Sequence, residues 1–217
     1  LLGINIGPNK DTIDMTNDFL KCANIFFPLG DYLTINISSP NTEGLRDFHK
    51  EDNLNNLLTK INQIRKESNF NKSFLLKISP DLEDSFIDSI IGLSIKHNIN
   101  GLILTNTTVS NRENLIDKKK NENGGLSGKP IQNLSTNLIK KFYKQLKGKI
   151  PIIGVGGIDS GESAFEKISS GASAVQLYTG MIFKGPTIVK DIKSGLINIL
   201  KDKGFKNINE AVGTNLN

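Results

Sequence analysis

Cysteine is nearly absent. Cys22 is the one thiol among 217 residues, so no disulfide can form within the chain and zinc sites built from cysteines are excluded. A reducing compartment suits this composition without being required by it. Long apolar runs are also missing: no stretch approaches the roughly 18 residues of a spanning helix, and no secretory signal is present, so the residues in hand read as soluble. Charge of one sign is not concentrated either. Lys and Arg number 27 against 22 for Asp and Glu, a formal +5 with an isoelectric point near 9.2. The basic residues are scattered apart from Lys118, Lys119 and Lys120, and no aromatic residue interleaves with that triplet. It reads as a solvated loop, and nucleic acid is not an expected partner. Finally, there is no initiating methionine. The chain enters an apolar run at Leu1, which reads as truncation, so a membrane anchor upstream would escape notice. Cys22 itself is read as a small core residue.

What is present is a repeated pattern: a short, β-branched apolar run, then Asn, Gly or Pro, then a longer segment at helical spacing. Six strand candidates follow one another, at residues 1–7, 32–38, 74–78, 101–105, 150–155 and 174–178. Their apolar character on both faces suits buried parallel strands. Between them, Phe86, Ile90 and Leu93, flanked by Ile87 and Ile91, mark one buried helix face, and Ile131, Leu134, Leu138 and Phe142 mark another. Pro186 precedes a helix over 189–200. With 37% apolar and 23% charged residues, one domain with one continuous core over 1–217 is expected.

Alternating β and α elements require a parallel sheet with right-handed crossovers, open or closed as a barrel. The strand ends favour the barrel. Asn5, Asn36, Lys77, Asn106, Gly156 with Gly157, and Thr179 stand at the carboxyl ends of different strands, the habit of a (β/α)8 TIM barrel, whereas an open sheet gathers its functional groups at one switch point. Such a barrel has eight strands and about 250 residues, so about six of its eight units are expected here and the first two are expected to be absent.

Two clusters carry chemistry. Gly154-Val-Gly-Gly-Ile-Asp-Ser-Gly161 lies between an Ile/Val strand and a helix through Ala164 and Ile168. Glycines allow close backbone approach, and a helix amino terminus offers free N–H donors, so a phosphate fits. The next strand ends in Tyr178, Thr179 and Gly180, and phosphate sites after the last two strands are frequent in this fold. A tight turn with glycines for packing is the bland alternative. The second cluster, Asn36-Ile-Ser-Ser-Pro-Asn-Thr-Glu-Gly-Leu-Arg46, offers amides and hydroxyls to a flat polar ligand; a loop of local Asx and Ser turns accounts for the same composition.

That second segment resembles the signature of class 2 dihydroorotate dehydrogenases. The rest of the chain agrees in family order: Gly3-Ile-Asn-Ile-Gly7, Leu76-Lys-Ile-Ser-Pro-Asp-Leu82, Thr105-Asn-Thr-Thr108, Gly124-Gly-Leu-Ser-Gly-Lys-Pro130, Gly154-Val-Gly-Gly157, Gln176-Leu-Tyr-Thr179, and the ending Gly204-Phe-Lys-Asn-Ile-Asn-Glu-Ala-Val-Gly213. The resemblance implies oxidation of (S)-dihydroorotate to orotate in pyrimidine (UMP) biosynthesis, with FMN as cofactor, quinone as electron acceptor and a peripheral place on an inner membrane, cytoplasmic or mitochondrial. By the same likeness Ser39 is the base at C5 while a hydride leaves C6 for FMN, and Thr42 contributes to the proton relay. Asn36, Asn41, Asn106 and Thr107 match the positions that hold the pyrimidine and its carboxylate. Asn5, Asn36, Lys77, Thr105, Ser127, Gly128, Gly157, Tyr178 and Thr179 match those that hold FMN. A cation such as Lys77 beside the reduced, anionic flavin would contribute about 4 kcal/mol at 4 Å and an effective dielectric of 20.

Two departures stand out. Pro8 occupies a place where many relatives carry lysine, and the first two family strands, with their flavin and orotate contacts, are missing. Two further readings follow: a non-catalytic, phosphate-binding barrel fragment, and another FMN-dependent barrel oxidoreductase acting on a different substrate.

Overall fold

The computed structural model describes residues 1–69, 71–110 and 112–216. Six strands, β1 (Gly3–Ile6), β2 (Tyr32–Asn36), β3 (Ser73–Ile78), β4 (Gly101–Leu104), β5 (Ile152–Val155) and β6 (Ala174–Gln176), form one sheet in sequential order, and each neighbouring pair is parallel. The helices α1 (Met15–Phe26), α2 (Glu51–Glu67), α3 (Ile87–Lys96), α4 (Gln132–Leu146) and α5 (Gly161–Ser169) connect successive strands, and α6 (Thr179–Lys184) and α7 (Ile188–Asp202) follow the last. The expected architecture, six βα units of a (β/α) barrel, is therefore the one adopted.

The strands are shorter than the sequence suggested. Leu1, Leu2 and Gly7 lie outside β1, Ile37 and Ser38 outside β2, Thr105 outside β4, Ile150 and Pro151 outside β5, and Leu177 and Tyr178 outside β6, while β3 gains Ser73. At the end of β2 the cause is visible in the hydrogen bonds. Side chains take over from the ladder, as where the Ser38 amide donates to Asn36 Oδ1 at 3.3 Å, and apolar runs say nothing of such a handover. Phe86 and Ile131 belong to 3-10 turns just before α3 and α4 rather than to the helices themselves.

The two faces of the sheet differ, which corrects the expectation of strands apolar on both. Ile6, Leu33, Ile35, Phe74, Leu76, Ile78, Leu102, Leu104 and Ile152 point outward into the main core against α1 to α4. Edge-to-face pairs Phe19–Phe48, at 5.6 Å, and Phe27–Phe74, at 6.1 Å, lock that layer. Cys22 packs at the margin of this core, half-buried. Alternate residues face inward, where Gly3, Asn5, Tyr32, Thr34, Lys77, Ile103 and Gln176 line one small cavity of about 70 Å³. Strands from both ends of the order thus face the same space, so the sheet is curved. A second, smaller core gathers Ile158, Ala164, Ile168, Ile188, Ile192, Leu196 and Ala211 under α5 and α7.

Helix ends are locally specified. Asp14 caps α1 by accepting from the Asn17 amide at 3.0 Å, and α2 opens on Glu51 and Asp52 and closes on Arg65 and Lys66, as the helix dipole favours. Lys118, Lys119 and Lys120 are exposed in the long loop before α4, as expected of a solvated segment.

Where α5 crosses α7, Gly161 and Gly195 meet backbone to backbone; a Cβ on Gly195 would stand 3.0 Å from Gly161 Cα. Gly195→Ala is expected to push the helices apart and cost about 1–3 kcal/mol. Gly92→Ala, on the exposed side of α3 with open space around it, is expected to be neutral or to stabilise by up to about 1 kcal/mol. Urea denaturation of the two variants side by side checks the pair.

Candidate functional site

The carboxyl ends of the strands open into a cavity of about 650 Å³. Lys77 from β3 lines it with Thr105, Asn106 and Thr107 after β4, Ser127 and Gly128 before α4, Gly156 and Gly157 after β5, and Tyr178 and Thr179 after β6. Val155, Ile158, Leu177 and Phe183 give it apolar walls, and Lys129, Lys184 and Asp159 stand at its edge. Three lysines against one carboxylate favour an anionic occupant. The volume lies within the usual range for a small-molecule pocket.

The glycine loop is shaped by what lies behind it. Gly156 and Gly157 adopt φ of +121° and +75°, a region that disfavours side chains, and a Cβ on Gly157 would stand 2.5 Å from Gln132 Cβ on α4. The loop is thus pressed onto α4, where Ser135 Oγ also donates to the Val155 carbonyl at 2.5 Å. Lys167, fully buried on α5, holds the Gln132 carbonyl at 2.7 Å and Thr136 Oγ1 at 2.6 Å, and burial, partly offset by Glu166, pushes its pKa down to about 8. Among the described residues no protein acceptor takes the Gly156 or Gly157 amide. The start of α5 is capped from within. Its Ser160–Ser163 capping box consumes donors, since the Asp159 and Ser160 amides both bond Ser163 Oγ at 2.9 Å. Among the described residues no acceptor on another residue takes the Gly161 or Glu162 amide, but residues 160–163 do not line the cavity, whereas Gly156 and Gly157 do.

The Lys77 ammonium makes no hydrogen bond or ion pair to the described residues, and burial alone pulls its pKa below the ordinary lysine value. It lines both the 650 Å³ cavity and the small inner one that it shares with Asn5. An ammonium so placed gains from any negative charge brought beside it. Across the cavity floor Thr179 Oγ1 donates to Ser127 Oγ at 2.8 Å, and a Cβ on Gly128 would meet Thr179 Cγ2 at 2.9 Å, so these two loops are in contact. The unpartnered amides, the lysine and the apolar walls fit a flat ring carrying a phosphate, which is the shape and charge of FMN.

The loop after β2 lies to one side. Asn106 Nδ2 donates to Asn36 Oδ1 at 3.2 Å and to Ser38 Oγ at 3.0 Å, Ser38 Oγ donates to Asn36 Oδ1 at 2.7 Å, and the Thr107 amide donates to Asn106 Oδ1 at 2.7 Å. Asn36 is therefore joined to the cavity through Asn106. Ser39 follows half-buried and accepts the Asn41 amide at 3.2 Å; Asn41 is exposed and Thr42 half-buried. Ser39, Asn41 and Thr42 do not line the cavity, and Asn5 does not reach it. Pro40 and Thr107 both crowd Gly125, where a Cβ would stand 2.9 Å from Pro40 Cγ, so the Ser39 loop abuts the cavity wall.

Arg46 and Asp81 stand inside two of the sequence motifs with no role assigned to them there. They form an ion pair of 2.9 Å that ties the loops after β2 and β3. The signal was weak, because residues 35 positions apart declare no pairing. Gln132, behind Gly157, and the buried Lys167 were missed as well.

The fold and this site define a parallel α/β barrel-type protein whose strand ends gather a glycine loop with free amides, a lysine unpaired among the described residues and a cluster of side-chain amides. The chain matches the dihydroorotate dehydrogenase family over residues 1–200. It is 45% identical over 214 residues to the Mus musculus protein named dihydroorotate dehydrogenase (quinone), mitochondrial, covering 98% of this chain and 54% of that one. The Trichodesmium erythraeum dihydroorotate dehydrogenase (quinone) is 43% identical, with coverage of 97% and 57%. A crystal structure of DHODH from Eimeria tenella in complex with ferulenol superposes with a TM-score of 0.93 at 36% identity, over 97% of this chain and 61% of that one. The chain belongs to the dihydroorotate dehydrogenase family, and it spans about half the length of the curated relatives it matches. The quinone-type names of these relatives agree with the class 2 resemblance.

His49 makes a pH prediction. Its ring accepts the Ser79 amide at Nε2 (3.3 Å) and donates from Nδ1 to the Arg46 carbonyl (2.8 Å), so the folded state holds it neutral; burial, chiefly, lowers its pKa from 6.5 to about 4. Between those values the unfolded chain binds the proton that the folded chain refuses. Stability from this group is complete above pH 6.5 and falls toward pH 4, by roughly 3 kcal/mol in all. Urea midpoints measured from pH 7 to 4 should fall more steeply for the parent than for His49→Gln.

Proposed function

We propose that this chain carries the FMN-binding and proton-abstracting part of a dihydroorotate dehydrogenase that oxidises (S)-dihydroorotate to orotate in de novo pyrimidine biosynthesis. The observation that carries the reading is the sharing of one cavity by Lys77, Thr105, Asn106, Gly157 and Thr179, drawn from four strand ends. FMN, when bound, supplies the acceptor for the two electrons removed from the substrate. Its phosphate is assigned to the amides of Gly156 and Gly157 with Tyr178 and Thr179. Its ring is assigned to Thr105, Ser127, Gly128 and Lys77, with Asn5 and Asn36 from the first two strands. The Lys77 ammonium, desolvated and without a protein counter-charge, stabilises negative charge that develops beside it.

Substrate recognition falls to Asn36, Asn41, Asn106 and Thr107, whose amides and hydroxyl match a planar ring offering both donors and acceptors. Asn106 is fixed before any ligand arrives, since its amide is committed to Asn36 and Ser38 on one side and to the Thr107 N–H on the other. Ser39 Oγ takes the proton from C5 and passes its own onward through Thr42, leaving the C5–C6 double bond of orotate. A neutral serine is a weak base, so the relay and the removal of electrons at C6 must both assist. Quinone is assigned as the final acceptor from the names of the relatives, and with it a peripheral place on an inner membrane. No helix among the described residues is long and apolar enough to cross one.

A second reading, a phosphate-binding barrel segment without turnover of its own, draws support from Ser39, Asn41 and Thr42 lying outside the cavity and from the exposure of Asn5 and Gln176 at the sheet edges. Anaerobic titration with dihydroorotate separates the two. The primary reading expects FMN to bind stoichiometrically and to bleach on addition of substrate, in this chain or in one extended to the length of its relatives. Bound flavin that stays yellow in both would reject it.

Two substitutions test the assignments. Ser39→Ala should keep its flavin and lose about 10²–10⁴ in turnover, the usual range for general-base catalysis, as read by quinone reduction. Gly157→Ala should weaken FMN binding at least tenfold by fluorescence titration, because the added methyl forces the loop off Gln132.

A further inference from the structure

Behind the loop that carries Ser39, three strand ends converge on a single carboxylate. Asp81, in the turn after β3, accepts hydrogen bonds from Thr108 Oγ1, from Ser110 Oγ at 2.7 Å and from the Val109 amide at 3.0 Å, all in the segment after β4. Its other partner is Arg46 Nη1 at 2.9 Å, at the end of the loop after β2. Burial alone would raise the Asp81 pKa, but these hydrogen bonds and Arg46 together hold it below the ordinary value. Arg46 also reaches the Thr107 carbonyl from Nη2 at 3.4 Å, and among the described residues its buried Nε finds no partner.

An ion pair that leaves one buried donor unsatisfied is a poor device for stability alone, since the orphan N–H carries a desolvation cost of about 1–3 kcal/mol. What the pair does deliver is geometry. The Arg46 guanidinium holds the Thr107 carbonyl, the Thr107 amide bonds Asn106 Oδ1, and Asn106 Nδ2 bonds Asn36 Oδ1 and Ser38 Oγ, next in sequence to Ser39. An unbroken chain of hydrogen bonds therefore runs from Asp81 to the residue beside Ser39. From the other side His49 grips the Arg46 carbonyl and the Ser79 amide, fastening the 3-10 turn Leu45–His49 to the end of β3. Neither Arg46 nor Asp81 lines the cavity.

We propose that Arg46 and Asp81 are a positioning pair: by clamping the loops after β2, β3 and β4 to one carboxylate, they set the pose of residues 37–44, and hence of Ser39, against Asn106 and Thr107. The pair rests on the functional reading above for its consequence in turnover, but its effect on the loop stands independently. Proximity arguments give the scale, since displacement of a reacting group by about 1 Å costs up to about 10²-fold.

The test uses Asp81→Asn, Arg46→Met and the milder Arg46→Lys, which keeps the charge and loses the planar fork that reaches Thr107. Hydrogen exchange is followed at the amides of 37–44 and, as a control, in α5, with FMN affinity measured in parallel. The pair predicts at least tenfold faster exchange in 37–44 for Asp81→Asn and Arg46→Met, an intermediate value for Arg46→Lys, α5 exchange as in the parent, and FMN affinity within about threefold. In the version that turns over dihydroorotate, kcat should fall 10–100-fold with flavin content unchanged. Exchange in 37–44 that matches the parent in all three variants overturns the proposal. So does uniform acceleration in 37–44 and α5 alike, the mark of general destabilisation. Released loops in a protein whose parent never reduces FMN would leave the clamp standing and sink the functional reading instead. Normal turnover in variants with freed loops would sink the link between pose and chemistry.

Discussion

Parallel registration of six strands is the constraint on which the rest depends. Asn36 stands beside Lys77, Lys77 beside Ile103, and Val155 beside Gln176, so every carboxyl end falls on one rim. A slip of one residue in any strand would turn its outward side chains inward. Leu76 would then replace Lys77 inside, and the outer core that α1 to α4 complete would receive an ammonium. Burial of that core makes the slip expensive and so secures the address of every polar residue on the rim.

On that rim the polar groups are divided by what they bond. Asn36, Ser38, Asn106 and Thr107 are satisfied by one another and form a rigid shelf. Among the described residues the Lys77 ammonium and the amides of Gly156 and Gly157 have no protein partner. Groups left without partners at one cavity are the ones free to meet a ligand, which is the ground of the proposed function. The close packing of Gln132 on Gly157 holds one loop of the rim, and the Arg46–Asp81 ion pair ties the loops after β2 and β3.

Much of this was legible beforehand. Runs such as Leu75-Leu-Lys-Ile78 and Gly101-Leu-Ile-Leu104 declared buried strands, and Gly154-Val-Gly-Gly157 declared a close backbone approach, because these depend on local spacing and on φ values only glycine takes easily. The end of β2 was overextended because the Asn36 side chain replaces the ladder there. The apolar appearance of both sheet faces misled as well: Leu75 and Ile103 are buried yet stand outside the helix-covered core, Ile103 in the wall of the small inner cavity. Nor was the capping box at Ser160 foreseen, although the Ser–x–x–Ser spacing was in view.

The sequence by itself determined the order of strands and helices, the glycine turns and the family, since each of these is written in short-range pattern and in motif order. Tertiary structure alone decided that Asp81 meets Arg46 and Thr108, that Gln132 backs Gly157, that Lys77 is left unpaired, and that Ser39 stands beside the large cavity instead of in its wall. Those relations arise when residues tens of positions apart are brought together by the curvature of the sheet, and no local rule for spacing or propensity contains a term for them.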